Sequence, residues 1–294
     1  MSQAAIRNPT EPRLLPKLYP DLLVYQDETA ASRNALSFAN ALAESANGHL
    51  SAIMFGFLTT YPTSVYMESI PDAWLAVQKQ ANKETDAIQK RLATELALVS
   101  TKPELHRFDV AGVEAGDLLA EQSCNADAVI IGFDKDGGTD FERRLFESVL
   151  LASGRPVIVV PESFKTYGPA KRIVVAWKES PQATRAIHDA MPMLRAADSV
   201  RVVIVNENGV DNQFTNIGPK IVAHLIRHGV SAEARVVAAG RALPADIILD
   251  ETRNFDAGMI VMGGYGHSRL REWIAGGVTR DILAAATVPV LMSH

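Results

Sequence analysis

Short apolar runs alternate with amphipathic stretches along nearly the whole chain. Asp21-Leu22-Leu23-Val24-Tyr25 precedes a helical pattern from Ser32 to Glu44. Arg172-Ile173-Val174-Val175-Ala176-Trp177 precedes another that starts at about Gln182. Brief runs such as Val200-Arg201-Val202-Val203-Ile204-Val205, bounded by helical patterns, read as strands of a buried sheet. Each half of the chain closes on a short run headed by proline, Pro156-Val157-Ile158-Val159-Val160 and Pro289-Val290-Leu291-Met292. Strand and helix in strict alternation predict parallel strands, right-handed crossovers and helices on both faces of the sheet.

The pattern occurs twice. Asp117-Leu118-Leu119-Ala120-Glu121 is answered by Asp246-Ile247-Ile248-Leu249-Asp250, and Ala128-Val129-Ile130-Ile131-Gly132 by Met259-Ile260-Val261-Met262-Gly263. The offset is 151 between Asp27 and Lys178, 131 between Gly132 and Gly263, and 133 between Pro156 and Pro289. The surplus therefore lies in the middle of the first half, in the 59–71 loop and a long helix from about Trp74 to Leu98. The expected plan is an irregular arm over 1–20, a first α/β unit over 21–161, a linker over 162–170 and a second unit over 171–294. Each unit is expected to be an open, Rossmann-like parallel sheet of five strands.

Composition narrows the function. A formal net charge of -5 with no basic stripe gives no reason to expect a nucleic-acid partner. No apolar run approaches the roughly 20 residues that span a bilayer. The proline-marked N-terminus lacks an apolar signal core, so a cytoplasmic location is expected. Cys124 is the single cysteine, which excludes an intramolecular disulfide and fits a reducing compartment. It reads as an apolar helix-face residue without a partner base. The histidines, His224 and His228 among them, show no spacing that defines a metal site, and no residue reads as catalytic.

The chemistry concentrates near the C-terminus. Gly263-Gly264-Tyr265-Gly266 follows the apolar run from Gly258 to Met262, and nine residues further on come Gly276-Gly277. Glycines between a strand and a helix let backbone N–H groups approach an anion closely. Such sites lie beyond the carboxyl ends of the strands, where the winding reverses. Ala176, Asn206 and Gly240 stand at or near the ends of the other central strands and belong to the same cleft. Arg269 and Arg271 lie close by. His267 reads as a phosphate contact or as an exposed loop residue.

With these residues the chain resembles the universal stress proteins in their tandem form, over about Asp21 to Met292. Gly263, Gly266 and Gly276 match the spacing of the nucleotide-binding members, and Gly277 stands where a serine or threonine is usual. Val278-Thr279 and Val288-Pro289-Val290 look familial as well. The resemblance implies the adenine nucleotide alpha-hydrolase-like fold and pairing of the two last strands, Pro156–Val160 against Pro289–Met292. It also implies a role in stress tolerance with no defining reaction. Some members bind ATP or another adenine nucleotide, with or without Mg2+, and others bind none.

The two halves depart from that pattern in opposite ways. Asp27 stands where the family places an aspartate against the nucleotide, and it could equally cap the next helix. The first loop, however, keeps only Gly132: Lys135 replaces the next glycine and Glu147-Ser148 is read as the counterpart of the distal pair. Its acidic residues argue against a phosphate ligand there, and no cofactor is expected in the first half. The second half keeps its glycines but has Lys178 at the aspartate position, a donor where ribose hydroxyls want an acceptor. Three readings stay open: a nucleotide-competent second half, a non-nucleotide interaction protein, and an adenylate-transferring enzyme. The last lacks the phosphate motif expected near the first strand. An unidentified protein partner and a homodimer also remain open.

Overall fold

The computed structural model describes residues 18–58, 72–206, 214–265 and 277–294. The 59–71 loop, nearly all of the N-terminal arm, and Gly266, His267, Arg269, Arg271, Trp273 and Gly276 lie outside them. The first half runs β1 (Asp21–Tyr25), α1 (Ala30–Ala46), β2 (His49–Phe57), α2 (Asp72–Ala97), β3 (Glu104–Val110), α3 (Ala115–Ser123), β4 (Ala128–Phe133), α4 (Asp140–Ala152) and β5 (Val157–Pro161). A single 3-10 turn, Lys135–Gly137, lies between β4 and α4. The second half repeats the order with β6 (Arg172–Ala176), α5 (Pro181–Ala196), β7 (Ser199–Asn206), α6 (Phe214–Arg227), β8 (Ala232–Ala238), α7 (Pro244–Asn254), β9 (Met259–Gly263), α8 (Gly277–Ala285) and β10 (Val290–Ser293).

The strands form one ten-stranded sheet in the order β3-β2-β1-β4-β5-β10-β9-β6-β7-β8. Each half is parallel throughout, and the halves join where β5 and β10 pair antiparallel, Val290 opposite Val159 and Met292 opposite Val157. Side-chain alternation sorts the helices. Leu22, Val24, Val175 and Val261 pack with α1, α5 and α6 on one face, whereas Leu23, Val129, Val174 and Ile260 pack with α3, α4, α7 and α8 on the other. Most of these strand residues are wholly buried, and each is worth about 1.5–3 kcal/mol in removal of apolar surface from water.

Local sequence fixes the helix starts that face the site. Thr29 caps α1, its side chain accepting from the Ser32 N–H at 3.1 Å. Ser180 caps α5 in the same manner, and Pro181 takes the first-turn position where its missing N–H costs nothing. At α4, Thr139 and Glu142 form a reciprocal capping box. The 162–170 stretch packs on α1: the Asn34 side chain donates to the Glu162 carbonyl, and Phe164 meets Phe38 edge-on at 6.0 Å.

Candidate functional site

In each half the winding reverses between the first and fourth strands, β1 beside β4 and β6 beside β9. The chain leaves β6 for α5 on one face and leaves β9 towards α8 on the other, so a crevice opens at the shared carboxyl ends. The structure brings the expected residues of the second half to this end of the sheet. Ala176 ends β6 opposite Met262, Asn206 ends β7, Gly240 follows β8, and Gly263 ends β9. Lys178 is exposed beyond β6, and among the described residues no hydrogen bond or ion pair holds it. Asn206 is buried, its carbonyl accepting from the Ala239 N–H at 2.9 Å.

The described glycines have different reasons to be glycine. A Cβ on Gly263 would lie 2.6 Å from the Ala183 backbone nitrogen in the first turn of α5. Gly132, its counterpart, is closer still, with Ala31 O at 2.3 Å. Strand-to-helix contact therefore demands both, with or without a ligand. Gly277 opens the described part of α8, and among the described residues its Cβ would meet nothing nearer than Asp281 Oδ2 at 3.8 Å. Val278, beside it, is half-buried against the core that α3, α4, α7 and α8 cover. Gly240 adopts φ 57 with open space around it, a left-handed turn that favours glycine.

Tyr265, within the glycine run, has no mark in the sequence that sets it apart, yet the structure gives it the most unusual backbone of the site. It holds φ 47, a left-handed conformation that costs a side-chain-bearing residue about 1–2 kcal/mol. Its hydroxyl donates to Glu147 Oε1 of α4, in the other half, at 3.0 Å. Burial, and then the Glu147 charge and hydrogen bond, push the phenol well above its ordinary value and keep it a donor. Before it, the Gly264 N–H donates to Ser293 O at 2.9 Å and the Gly264 carbonyl lies 3.2 Å from His294 Nδ1. His294 thus has a partner that its terminal position does not suggest.

The first-half counterpart is closed by the protein itself. Glu142 is 3% exposed, and its Oε2 accepts from the N–H groups of Thr139 at 2.5 Å and Asp134 at 3.4 Å. A carboxylate of the chain thereby occupies backbone donors that an external anion would need. Burial raises the Glu142 carboxyl above the ordinary range, and the hydrogen bonds from Thr139 and Asp134 oppose that rise. Asp134 caps the 3-10 turn through the Lys135 N–H at 2.8 Å, a bond that lowers its own carboxyl. Arg143 Nη1 donates to the Gly138 carbonyl at 2.5 Å and closes the turn.

Three expectations need correction. Ala152 and Ala285 end α4 and α8, and Val157 and Val290 begin β5 and β10, each pair 133 residues apart. That register sets Arg144, not Glu147-Ser148, opposite Gly277, and makes the second loop longer by two residues, since the preceding strands are offset by 131. Ser148 instead lies inside α4 against Gly116. Asp27 is not the cap of α1: its Oδ1 accepts from both the N–H and the hydroxyl of Thr29, at 2.8 and 2.6 Å, and Thr29 does the capping. Cys124 is exposed at the end of α3, where its carbonyl accepts from Arg155. Among the described residues no group of three or more metal-ligating side chains is assembled, and no helix is long and apolar enough to cross a membrane.

Residues 169–294 match the model of the universal stress protein family. The second half is a universal stress protein domain. A universal stress protein from Synechocystis sp. is 23% identical over 208 residues, covering 67% of this chain and 70% of its own. The crystal structure of a universal stress protein from Archaeoglobus fulgidus superposes with TM-score 0.66 at 16% identity, covering 93% of this chain and 96% of that one. A protein of unknown function from Pseudomonas aeruginosa PAO1 gives TM-score 0.51 at 14% identity over 94% and 92%. The likeness to the Archaeoglobus fulgidus protein extends the universal stress protein fold across both halves.

Proposed function

We propose that the universal stress protein domain of the second half binds an adenine nucleotide, or a related phosphate compound, in the crevice between the ends of β6 and β9. The chain would then serve as a stress-response protein that senses or carries this ligand, with no chemical step assigned to it. One observation carries the reading. Lys178 stands exposed and without a partner among the described residues, at the end of β6 beside the glycines that end β9. A free cation next to close-approaching backbone is suited to an anion. Lys178 cannot accept from ribose hydroxyls, so the phosphates carry the affinity.

The internal carboxylate at Glu142 favours a second reading for the first half, a structural or partner-binding unit without ligand. Titration calorimetry on the full chain with ATP, ADP, AMP and tripolyphosphate, each with and without Mg2+, tests the proposal. Binding that weakens on Lys178→Glu is expected. No heat with any of the four would overturn the nucleotide reading and leave the interaction reading standing.

A further inference from the structure

In both halves the chain leaving the fourth strand crosses onto the other half, but the two crossings differ. The first-half turn Lys135–Gly137 meets α8 by backbone packing, Gly137 lying so close that a Cβ would sit 3.1 Å from Ala284 Cα. The second-half crossing reaches α4 through side chains. Tyr265 donates to Glu147 at 3.0 Å, its ring lies 6.3 Å from that of Phe146, and a Cβ on Gly264 would fall 2.7 Å from Leu150 Cδ2.

We propose that α4 of the first half is a built-in support for the crevice of the second, with Tyr265 and Glu147 as positioning residues that set the direction in which the chain leaves β9. The left-handed backbone of Tyr265 needs something to hold it, because an aromatic residue does not favour that conformation unaided. The bonds to Ser293 and His294 restrain Gly264 and stop there. Among the described residues, what holds Tyr265 itself is the hydroxyl bond to Glu147 and the packing on Phe146. Asp134, the counterpart of Tyr265 in the first half, has φ -65, an ordinary conformation, and its hydrogen bonds to Lys135, Glu142 and Glu162 all stay within its own half. The support is therefore one-way in its chemistry: the half whose own anion donors are filled by Glu142 contributes the side chain that shapes the other crevice. A ligand that prefers one direction of this chain would be linked to the packing of α4. The consequence for binding rests on the phosphate-ligand reading above; the conformational claim does not.

The test uses full-length protein carrying Tyr265→Phe, Glu147→Ala, Glu147→Gln, or the first two together. Hydrogen exchange is followed in peptides covering 259–265, and ATP affinity is measured by calorimetry. Tyr265→Phe and Glu147→Ala should each speed exchange around residue 265 and weaken ATP by roughly two- to tenfold, the range of one net hydrogen bond. Glu147→Gln should behave as wild type, since its amide oxygen accepts the same bond. The double variant should be no worse than either single one. Exchange unchanged in both Tyr265→Phe and Glu147→Ala overturns the positioning role, as does acceleration spread evenly over the whole sheet. Faster local exchange with unaltered ATP affinity overturns the link to the crevice. If wild type itself ignores ATP, the nucleotide reading fails alone and the exchange data still decide the support.

Discussion

Replacing Gly132 or Gly263 by alanine separates a packing glycine from a phosphate-loop glycine. Ordinary contact begins at 3.4 Å, whereas the new methyl would lie 2.6 Å from Ala183 N at Gly263 and 2.3 Å from Ala31 O at Gly132. The obstacle in both cases is the backbone of a helix's first turn, capped by Ser180 or Thr29, so it cannot rotate aside as a side chain would. The strand and helix must part by about 0.8 Å and 1.1 Å, differences taken from those same distances. Overpacking of this kind costs about 1–3 kcal/mol, and the backbone origin of the clash puts both sites in the upper part of that range. At about 2–4 °C per kcal/mol for a domain of this size, thermal midpoints should fall by roughly 4–12 °C. Urea unfolding at neutral pH measures the loss directly. Gly277→Ala is the control, with its nearest atom among the described residues at 3.8 Å, and should stay within about 0.5 kcal/mol of wild type. Gly132→Ala is the informative variant, because Lys135 stands where its half would carry the next loop glycine. Wild-type urea midpoints for both alanine variants would refute the packing argument.

Lys178→Asp supplies a ribose acceptor and removes a cation, so adenosine should bind roughly two- to tenfold better and tripolyphosphate worse; calorimetry with the two ligands reads the crossover. The folded-state pKa of Glu142 is raised above its ordinary 4.5, so its stabilising contribution is present below that value and fades as pH rises through the folded one. Glu142→Gln should therefore gain on wild type from acid towards neutral pH, and parallel urea-midpoint curves would show the assignment to be wrong. Thr139→Ala breaks the capping box and should cost about 0.5–2 kcal/mol in urea unfolding, with no change in any ligand affinity of the second half.

The fold was legible because its strands are short, apolar and separated by helical patterns, and because two copies in one chain check each other. Strand ends shifted by a residue or so: the run expected at Pro156–Val160 is the strand Val157–Pro161. The site was harder to read. Glu147-Ser148 resembles a counterpart of the distal glycine pair only at a spacing about two residues longer, and the helix ends reveal the true register. Thr139-Asp140-Phe141-Glu142 carries the pattern of a capping box in plain view, but only the folded turn shows that the Glu142 carboxylate also reaches the Asp134 N–H. No local pattern could have joined Tyr265 to Glu147, 118 residues apart. That contact exists because β5 and β10 pair, and the pairing is a property of the whole sheet.

The carboxylate of Glu142 has a further meaning. In an assembly of identical chains related by a two-fold axis, every substitution appears in both copies, so a self-filled anion site would silence the pair together. Two copies on one polypeptide escape that rule. One can trade recognition for rigidity while the other keeps its glycines, and the seam at β5 and β10 holds the unequal partners at a fixed one-to-one ratio. Covalent linkage here makes lasting asymmetry possible.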